Sequence, residues 1–255
     1  MSEALLQINQ LSRSFGGLKA VEDVTLSVPQ GSLTALIGPN GAGKTTLFAL
    51  MSGFLRPDRG SVTYAGKDIT ARPPHLNARD GMTRTCQIVQ PFATQTVREN
   101  IAVGAHLHSR DRATALVQAE AIAQQVGLTG QLDKLASDLT VAGRKRLELA
   151  RTLATKPRLL LLDEVLAGLN PQEIAEMIPV VRGIAASGIT VLMIEHVMQA
   201  VMNLAEHVWV LAQGQLIAEG SPREVTANAR VVEAYLGHGT AARLRAAANP
   251  AGKSP

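Results

Sequence analysis

The sequence predicts an α/β fold in which a parallel sheet is interrupted by a helical segment. Three observations predict it. A glycine-rich pattern, G-x-x-x-x-G-K-[ST], sits between a strand-like run and a helix-like run. The unbroken apolar run Leu159-Leu160-Leu161-Leu162 has the texture of a parallel strand covered on both faces. Between these two regions, from about Pro91 to Pro157, the chain turns Ala-rich and helical, so strand–helix alternation flanks an insertion.

Taken in order, Leu5-Leu6-Gln7-Ile8, Val24-Thr25-Leu26-Ser27-Val28 and Leu33-Thr34-Ala35-Leu36-Ile37 read as strands, the last bounded by Gly31 and Gly38. A helix is expected from Lys44 to about Gly53, then a turn at Pro57 and Gly60 and a strand at Val62–Tyr64. Ala113–Val126 is the clearest helix of the insertion. After the Leu159 strand, Asn170-Pro171-Gln172-Glu173 combines a capping side chain, a proline in the first turn and an acid, the pattern of a helix start. Thr190–Ile194, Val208–Leu211 and Gln215–Glu219 read as strands, and Ser221-Pro222-Arg223-Glu224 has capping-box spacing. Beyond Gly239 the chain becomes Ala-, Arg- and Pro-rich without pattern and reads as a loose tail over 240–255.

Composition narrows the function classes. Lys+Arg 25 against Asp+Glu 21 leaves only +4, and aromatics make up 3%, so neither electrostatics nor stacking platforms argue for a nucleic-acid partner. The single cysteine, Cys86, excludes an intramolecular disulfide and suits a reducing compartment. The start Met1-Ser2-Glu3-Ala4 lacks a basic region followed by an apolar run, and no stretch approaches 18 apolar residues. These features read as a soluble protein of cytoplasmic type.

The chemistry is concentrated in Gly38-Pro39-Asn40-Gly41-Ala42-Gly43-Lys44-Thr45. Glycines let the backbone wrap phosphate oxygens, with amide N–H groups aimed inward and a helix N-terminus behind them. Lys44 is placed to reach the β- and γ-phosphates, the Thr45 hydroxyl to bind Mg²⁺, and Thr46 to donate to an α- or β-phosphate. Arg158-Leu159-Leu160-Leu161-Leu162-Asp163-Glu164 delivers two adjacent carboxylates at a strand's end. Asp163 suits Mg²⁺, and Glu164, on the other side of the pleat, suits polarisation of an attacking water.

The order of these elements, from about Leu6 to Gly237, resembles the ATP-binding subunits of ABC transporters. That resemblance implies one cassette over 1–239. Its P-loop NTPase core covers about 1–90 and 158–239 and carries an antiparallel β subdomain, and its helical subdomain covers about 91–157. It implies that Phe15, in Ser14-Phe15-Gly16-Gly17, stacks on adenine. Gln87, in Thr85-Cys86-Gln87, resembles the glutamine that links Mg²⁺ to the membrane partner, and the downstream Thr96-Val97-Arg98-Glu99-Asn100-Ile101 resembles the family's loop before its first helix. His196, in Ile194-Glu195-His196, corresponds to the histidine that hydrogen-bonds the γ-phosphate. Ala167-Gly168-Leu169-Asn170 resembles the loop that communicates across a dimer.

One motif departs. Where the family has Leu-Ser-Gly-Gly-Gln, this chain has Leu139-Thr140-Val141-Ala142-Gly143. Thr140 retains a hydroxyl that can reach ATP bound on a partner chain, in trans. Val141 and Ala142 add side chains where glycines let backbone approach, and the glutamine amide is gone. The competing reading of this segment is a plain helix start.

Within the family the chain most resembles the ATPases of high-affinity branched-chain amino acid importers. The residues that carry this likeness are Phe15–Val21, Arg146–Arg151, Ala167–Pro171 and Glu233-Ala234-Tyr235-Leu236-Gly237. The resemblance implies ATP and Mg²⁺, a second ATPase subunit, two transmembrane permease subunits, a periplasmic binding protein acting indirectly, and a peripheral position on the cytoplasmic face of the inner membrane. Related ATPases power lipopolysaccharide export. A soluble, non-transport ABC ATPase and a P-loop kinase are the readings from other classes. The first usually carries two cassettes or a long coiled-coil insertion. The second wants an arginine-rich lid, and the sequence offers none of these.

Overall fold

The computed structural model describes residues 3–85 and 90–236. β1 (Ala4–Phe15) and β2 (Leu18–Pro29) form a long antiparallel hairpin turned at Gly16 and Gly17. β3 (Leu33–Ile37) leads through the glycine-rich loop into α1 (Lys44–Ser52), which stops at Gly53, whose left-handed φ of +85° suits glycine. β4 (Arg59–Tyr64), β5 (Lys67–Asp68), α2 (Pro74–Arg79) and β6 (Met82–Arg84) follow. Then come α3 (Val97–Ala105), α4 (Arg112–Gln125) and α5 (Val141–Leu153). The remainder is β7 (Leu159–Asp163), α6 (Pro171–Ala186), β8 (Thr190–Ile194), α7 (Met198–Leu204), β9 (His207–Ala212), β10 (Gln215–Gly220), α8 (Pro222–Ala227) and α9 (Ala229–Leu236).

Two sheets result. One is antiparallel in the order β2-β1-β4-β5. The other runs β10-β9-β3-β8-β7-β6, parallel from β9 to β6, with β10 antiparallel on its edge. All residues of β3, β7 and β8 are buried, which is why these strands are apolar without alternation. The pleat still sorts their side chains. Leu159 and Leu161 join the apolar cluster between the two sheets, built around Leu47 and Phe48 of α1. Leu160 and Leu162 point the other way, into the cluster shared with Ile101, Leu147, Leu149 and Val181 of the helices. Each buried leucine contributes roughly 1.5–3 kcal/mol.

The helices between β6 and β7 are locally specified. Thr96 and Glu99 form a capping box on α3, the Asp111 carboxylate accepts from the Thr114 amide, and Thr140 Oγ1 accepts from the Gly143 amide at the start of α5. Gly104 lets α3 and α5 approach closely, since a Cβ there would lie 2.3 Å from the Arg151 carbonyl oxygen. Asn170 with Glu173, and Ser221 with Glu224, form the expected capping boxes on α6 and α8.

The hairpin strands are longer than the sequence reading, which covered only Leu5–Ile8 and Val24–Val28. Their polar halves hold register through bulges, with Gln10 and Asp23 in left-handed conformations at φ 48° and 51°. Cys86, Gln87 and the 240–255 tail lie outside the described residues.

Candidate nucleotide site

Functional loops gather where a parallel sheet's strands end, because helix N-termini and turn amides meet there. β3 ends at Ile37 and hands the chain to Gly38, β7 ends at Asp163, and β8 ends at Ile194 just before Glu195 and His196. The three are neighbours in the order β3-β8-β7. Sheet order thus brings the sequence-distant loops to one edge.

The Gly38–Thr45 loop is shaped by close backbone contacts. A Cβ on Gly38 would sit 2.0 Å from the Leu211 carbonyl oxygen, and one on Gly43 would sit 2.1 Å from that of Ala20. Gly43 is also left-handed, φ +101°, at the N-cap of α1. Lys44 Nζ donates to the carbonyls of Gly38 and Pro39, at 2.7 and 3.0 Å, so the ammonium spans the loop. Burial pushes the Lys44 pKa down, and the carboxylates of Glu164 and Asp163 oppose that shift.

A cleft of about 1110 Å³ opens over this loop. It is lined by Gly38, Pro39, Asn40, Gly41, Ala42, Gly43, Lys44, Thr45 and Thr46, and also by Phe15, Glu164 and His196. Phe15 is 45% exposed and carries the Arg13 guanidinium 5.1 Å from its ring centroid. One ring therefore stands at the cleft with a cation against it.

Glu164 is not on the pleat as the strand pattern suggests. β7 stops at Asp163, and Glu164 takes a left-handed φ of +50°, an uncommon conformation for a side chain with a Cβ. Its amide donates to the Ile194 carbonyl at 3.0 Å, and its carbonyl accepts from Lys145 Nζ at 3.1 Å. That turn lifts the carboxylate out of the sheet and brings Oε1 within 3.9 Å of His196 Nδ1. Asp163 stays fully buried. Its Oδ2 pairs with Arg84 Nη2 at 2.5 Å, its amide donates to Thr85 Oγ1 at 2.9 Å, and its Oδ1 has no hydrogen-bond partner among the described residues.

Thr140 does not line this cleft; it caps α5. Its oxygen accepts the Gly143 amide, which leaves the hydroxyl proton for another acceptor. Gln87 falls outside the described residues.

Several residues at the site were invisible to sequence reasoning. Arg84 needs its partner, 79 positions away, to be recognised. Glu195 is fully buried; one carboxylate oxygen accepts from the Leu166 amide at 3.1 Å, and burial pushes its pKa up to about 7. Tyr235, from α9, lines the cleft, with its hydroxyl hydrogen-bonded by the Gly38 amide and its pKa raised by burial. The Glu233–Gly237 ending carries a family likeness, but nothing local in it places the tyrosine at the loop.

The family model described as "ABC transporter" matches residues 21–167, and a second, "Branched-chain amino acid ATP-binding cassette transporter", matches 215–241. The chain is 37% identical over 253 residues to the high-affinity branched-chain amino acid transport ATP-binding protein BraF of Pseudomonas aeruginosa, covering 93% of this chain and 99% of that protein. It is 38% identical over 245 residues to the probable branched-chain amino acid transport ATP-binding protein LivG of Archaeoglobus fulgidus, covering 91% and 95%. The lipopolysaccharide export system ATP-binding protein LptB of Acidithiobacillus ferridurans is 35% identical over 237 residues, covering 93% and 98%. Among solved structures, a nucleotide-free ATP-binding cassette from an ABC transporter superposes with a TM-score of 0.84 at 32% identity, covering 92% of this chain and all of that one. An ATP-binding cassette of an ABC transporter in its ADP conformation gives 0.83 at 33%, covering 93% and all of that chain. Loop, carboxylates, fold and full-length likeness agree, and the chain belongs to the ABC transporter family as an ATP-binding cassette of the branched-chain amino acid transport type.

Proposed function

We propose that this chain hydrolyses ATP to drive a membrane importer of branched-chain amino acids or related small polar solutes. The observation that carries the reading is the convergence of Lys44, Glu164 and His196 on one cleft over the Gly38–Thr46 loop. The loop's amides and Lys44 hold the triphosphate, and Phe15 stacks on the base. Glu164 accepts a hydrogen bond from the attacking water, whose oxygen bonds to the γ-phosphorus as its proton passes to the Glu164 carboxylate. The bond from that phosphorus to the bridging β-phosphate oxygen breaks, and His196 donates to the γ-phosphate oxygens as charge builds there. ADP and inorganic phosphate leave.

Mg²⁺ fits the donor set. Thr45 lines the cleft, and Asp163 keeps one buried carboxylate oxygen unpartnered among the described residues. Hard oxygen donors of this kind suit the ion. Thr45 and Asp163, with Gln87, would hold it, and it would neutralise charge on the phosphates.

Thr140 of one cassette would face ATP held by a second, so that ATP binding closes the pair and hydrolysis opens it. The pair would sit under two permease subunits on the cytoplasmic face of the membrane, with a periplasmic binding protein delivering solute. Among the described residues no helix is long and apolar enough to cross a membrane, which agrees with separate permease chains. The resemblance to LptB makes export of a lipid-linked substrate the second reading. Vesicles holding this chain with the permeases that co-purify with it decide between them: ATP-dependent leucine uptake supports import, and its absence beside ATP-dependent extraction of lipopolysaccharide rejects it.

A further inference from the structure

Arg84 touches both elements that bear the proposed metal-binding oxygens. Its Nη2 lies 2.5 Å from Asp163 Oδ2 at the end of β7, and its guanidinium carbon lies 5.8 Å from the ring centroid of Phe48 on α1, one turn beyond Thr45. Phe54, 61% exposed just past α1, stands at the same 5.8 Å distance. The guanidinium is therefore bounded by two rings and one carboxylate, and its side chain is 13% exposed against 0% for Asp163. The next residue, Thr85, accepts the Asp163 amide through Oγ1 and donates its own amide to the Leu161 carbonyl. The end of β6 thus grips the end of β7 at both backbone and side chain.

A buried ion pair of this kind is a poor source of stability, because desolvation offsets most of its attraction. Its consequence is geometric. A carboxylate held through one oxygen by a planar, directional donor presents its other oxygen in one orientation. That other oxygen, Asp163 Oδ1, is the one with no partner among the described residues.

We infer that Arg84 is a positioning residue that aims the free oxygen of Asp163 at the nucleotide's divalent cation and joins the metal-binding ends of β7 and α1. The inference rests on the reading of Asp163 as a metal-binding residue and goes beyond it by assigning what orients that carboxylate.

The test uses the full chain and a nonhydrolysable fluorescent ATP analogue. The quantity read is the factor by which saturating Mn²⁺ tightens its binding relative to EDTA. Arg84→Gln is expected to keep the EDTA affinity and to lose about 10–100-fold of the Mn²⁺-dependent tightening, the usual penalty for removing a group that orients a ligand. Arg84→Lys keeps the charge without the fork and should lie between Arg84→Gln and wild type, with a loss of several-fold. A residue with a purely structural role would shift melting temperature without moving this ratio. Full tightening in Arg84→Gln, or stronger tightening because the guanidinium competes with the cation, overturns the inference. Should Arg84→Gln fail to fold, wild-type tightening in Arg84→Lys overturns it in the same way. Asp163→Asn separates the two levels. If it keeps full tightening, the metal reading fails and takes the Arg84 role with it. If it loses the tightening while the Arg84 variants do not, only the Arg84 role fails.

Discussion

The Glu164 carboxylate and the His196 imidazole face each other across 3.9 Å, longer than a direct hydrogen bond. The left-handed turn at Glu164 makes that approach, and it depends on the hydrogen bond its amide donates to the carbonyl of Ile194, which ends the strand just before His196. The proposed base and the proposed γ-phosphate donor are thus tied to the ends of neighbouring strands.

Glu164→Gln is expected to lower the hydrolysis rate by about 10²–10⁴-fold, the contribution of a positioned general base, while nucleotide affinity holds. Phosphate release under saturating ATP, beside equilibrium binding, checks this. A variant that hydrolyses near the wild-type rate would remove Glu164 from the chemistry.

Glu195 makes stability pH-dependent. Its carboxyl is raised from 4.5 to about 7, so between those values the folded chain holds a proton that the unfolded chain has released. Stability therefore falls as pH rises from 4.5 through 7, by up to about 3 kcal/mol from this group. Glu195→Gln keeps an acceptor for the Leu166 amide and cannot ionise. It should match wild type near pH 4, below the unfolded value, and exceed it at pH 8. Denaturant melts at both pH values read the difference, and parallel curves would contradict the account.

Phe15→Ala should weaken ATP binding by about 1–3 kcal/mol if the ring stacks on the base. Inorganic triphosphate has no base, so its binding should not change. Equal losses for both ligands would make the effect one of folding.

Thr140→Ala removes the cap of α5 and should destabilise the isolated chain by about 0.5–2 kcal/mol, whereas Thr140→Ser should not. In the assembled transporter, Thr140→Ala should also slow hydrolysis, with ATP binding by the separate subunit intact. Loss of that binding would place Thr140 in its own chain's site.

What the sequence made legible follows a simple physical division. The Gly38–Thr46 loop, the strand of Leu159–Leu162 and the capped starts at Asn170 and Ser221 are written in contiguous residues, because turn geometry, burial on two faces and helix capping act locally. The outer halves of β1 and β2 were not legible, since Gln10 and Asp23 hold bulges that break alternation. Asp163 and Glu164 were found as a pair, but the left-handed turn that parts them depends on the neighbouring strand end at Ile194. Arg84, Glu195 and Tyr235 take their meaning from partners brought close only by sheet order and by the packing of α9. No local signal could have found them.

The most direct test of the account is equilibrium binding of a nonhydrolysable ATP analogue to the wild-type chain and to Lys44→Ala. Lys44 spans the loop through the Gly38 and Pro39 carbonyls and lies within electrostatic reach of both carboxylates. The account predicts saturable binding by wild type and its loss in a variant that remains folded by circular dichroism. Undiminished affinity in Lys44→Ala would contradict it.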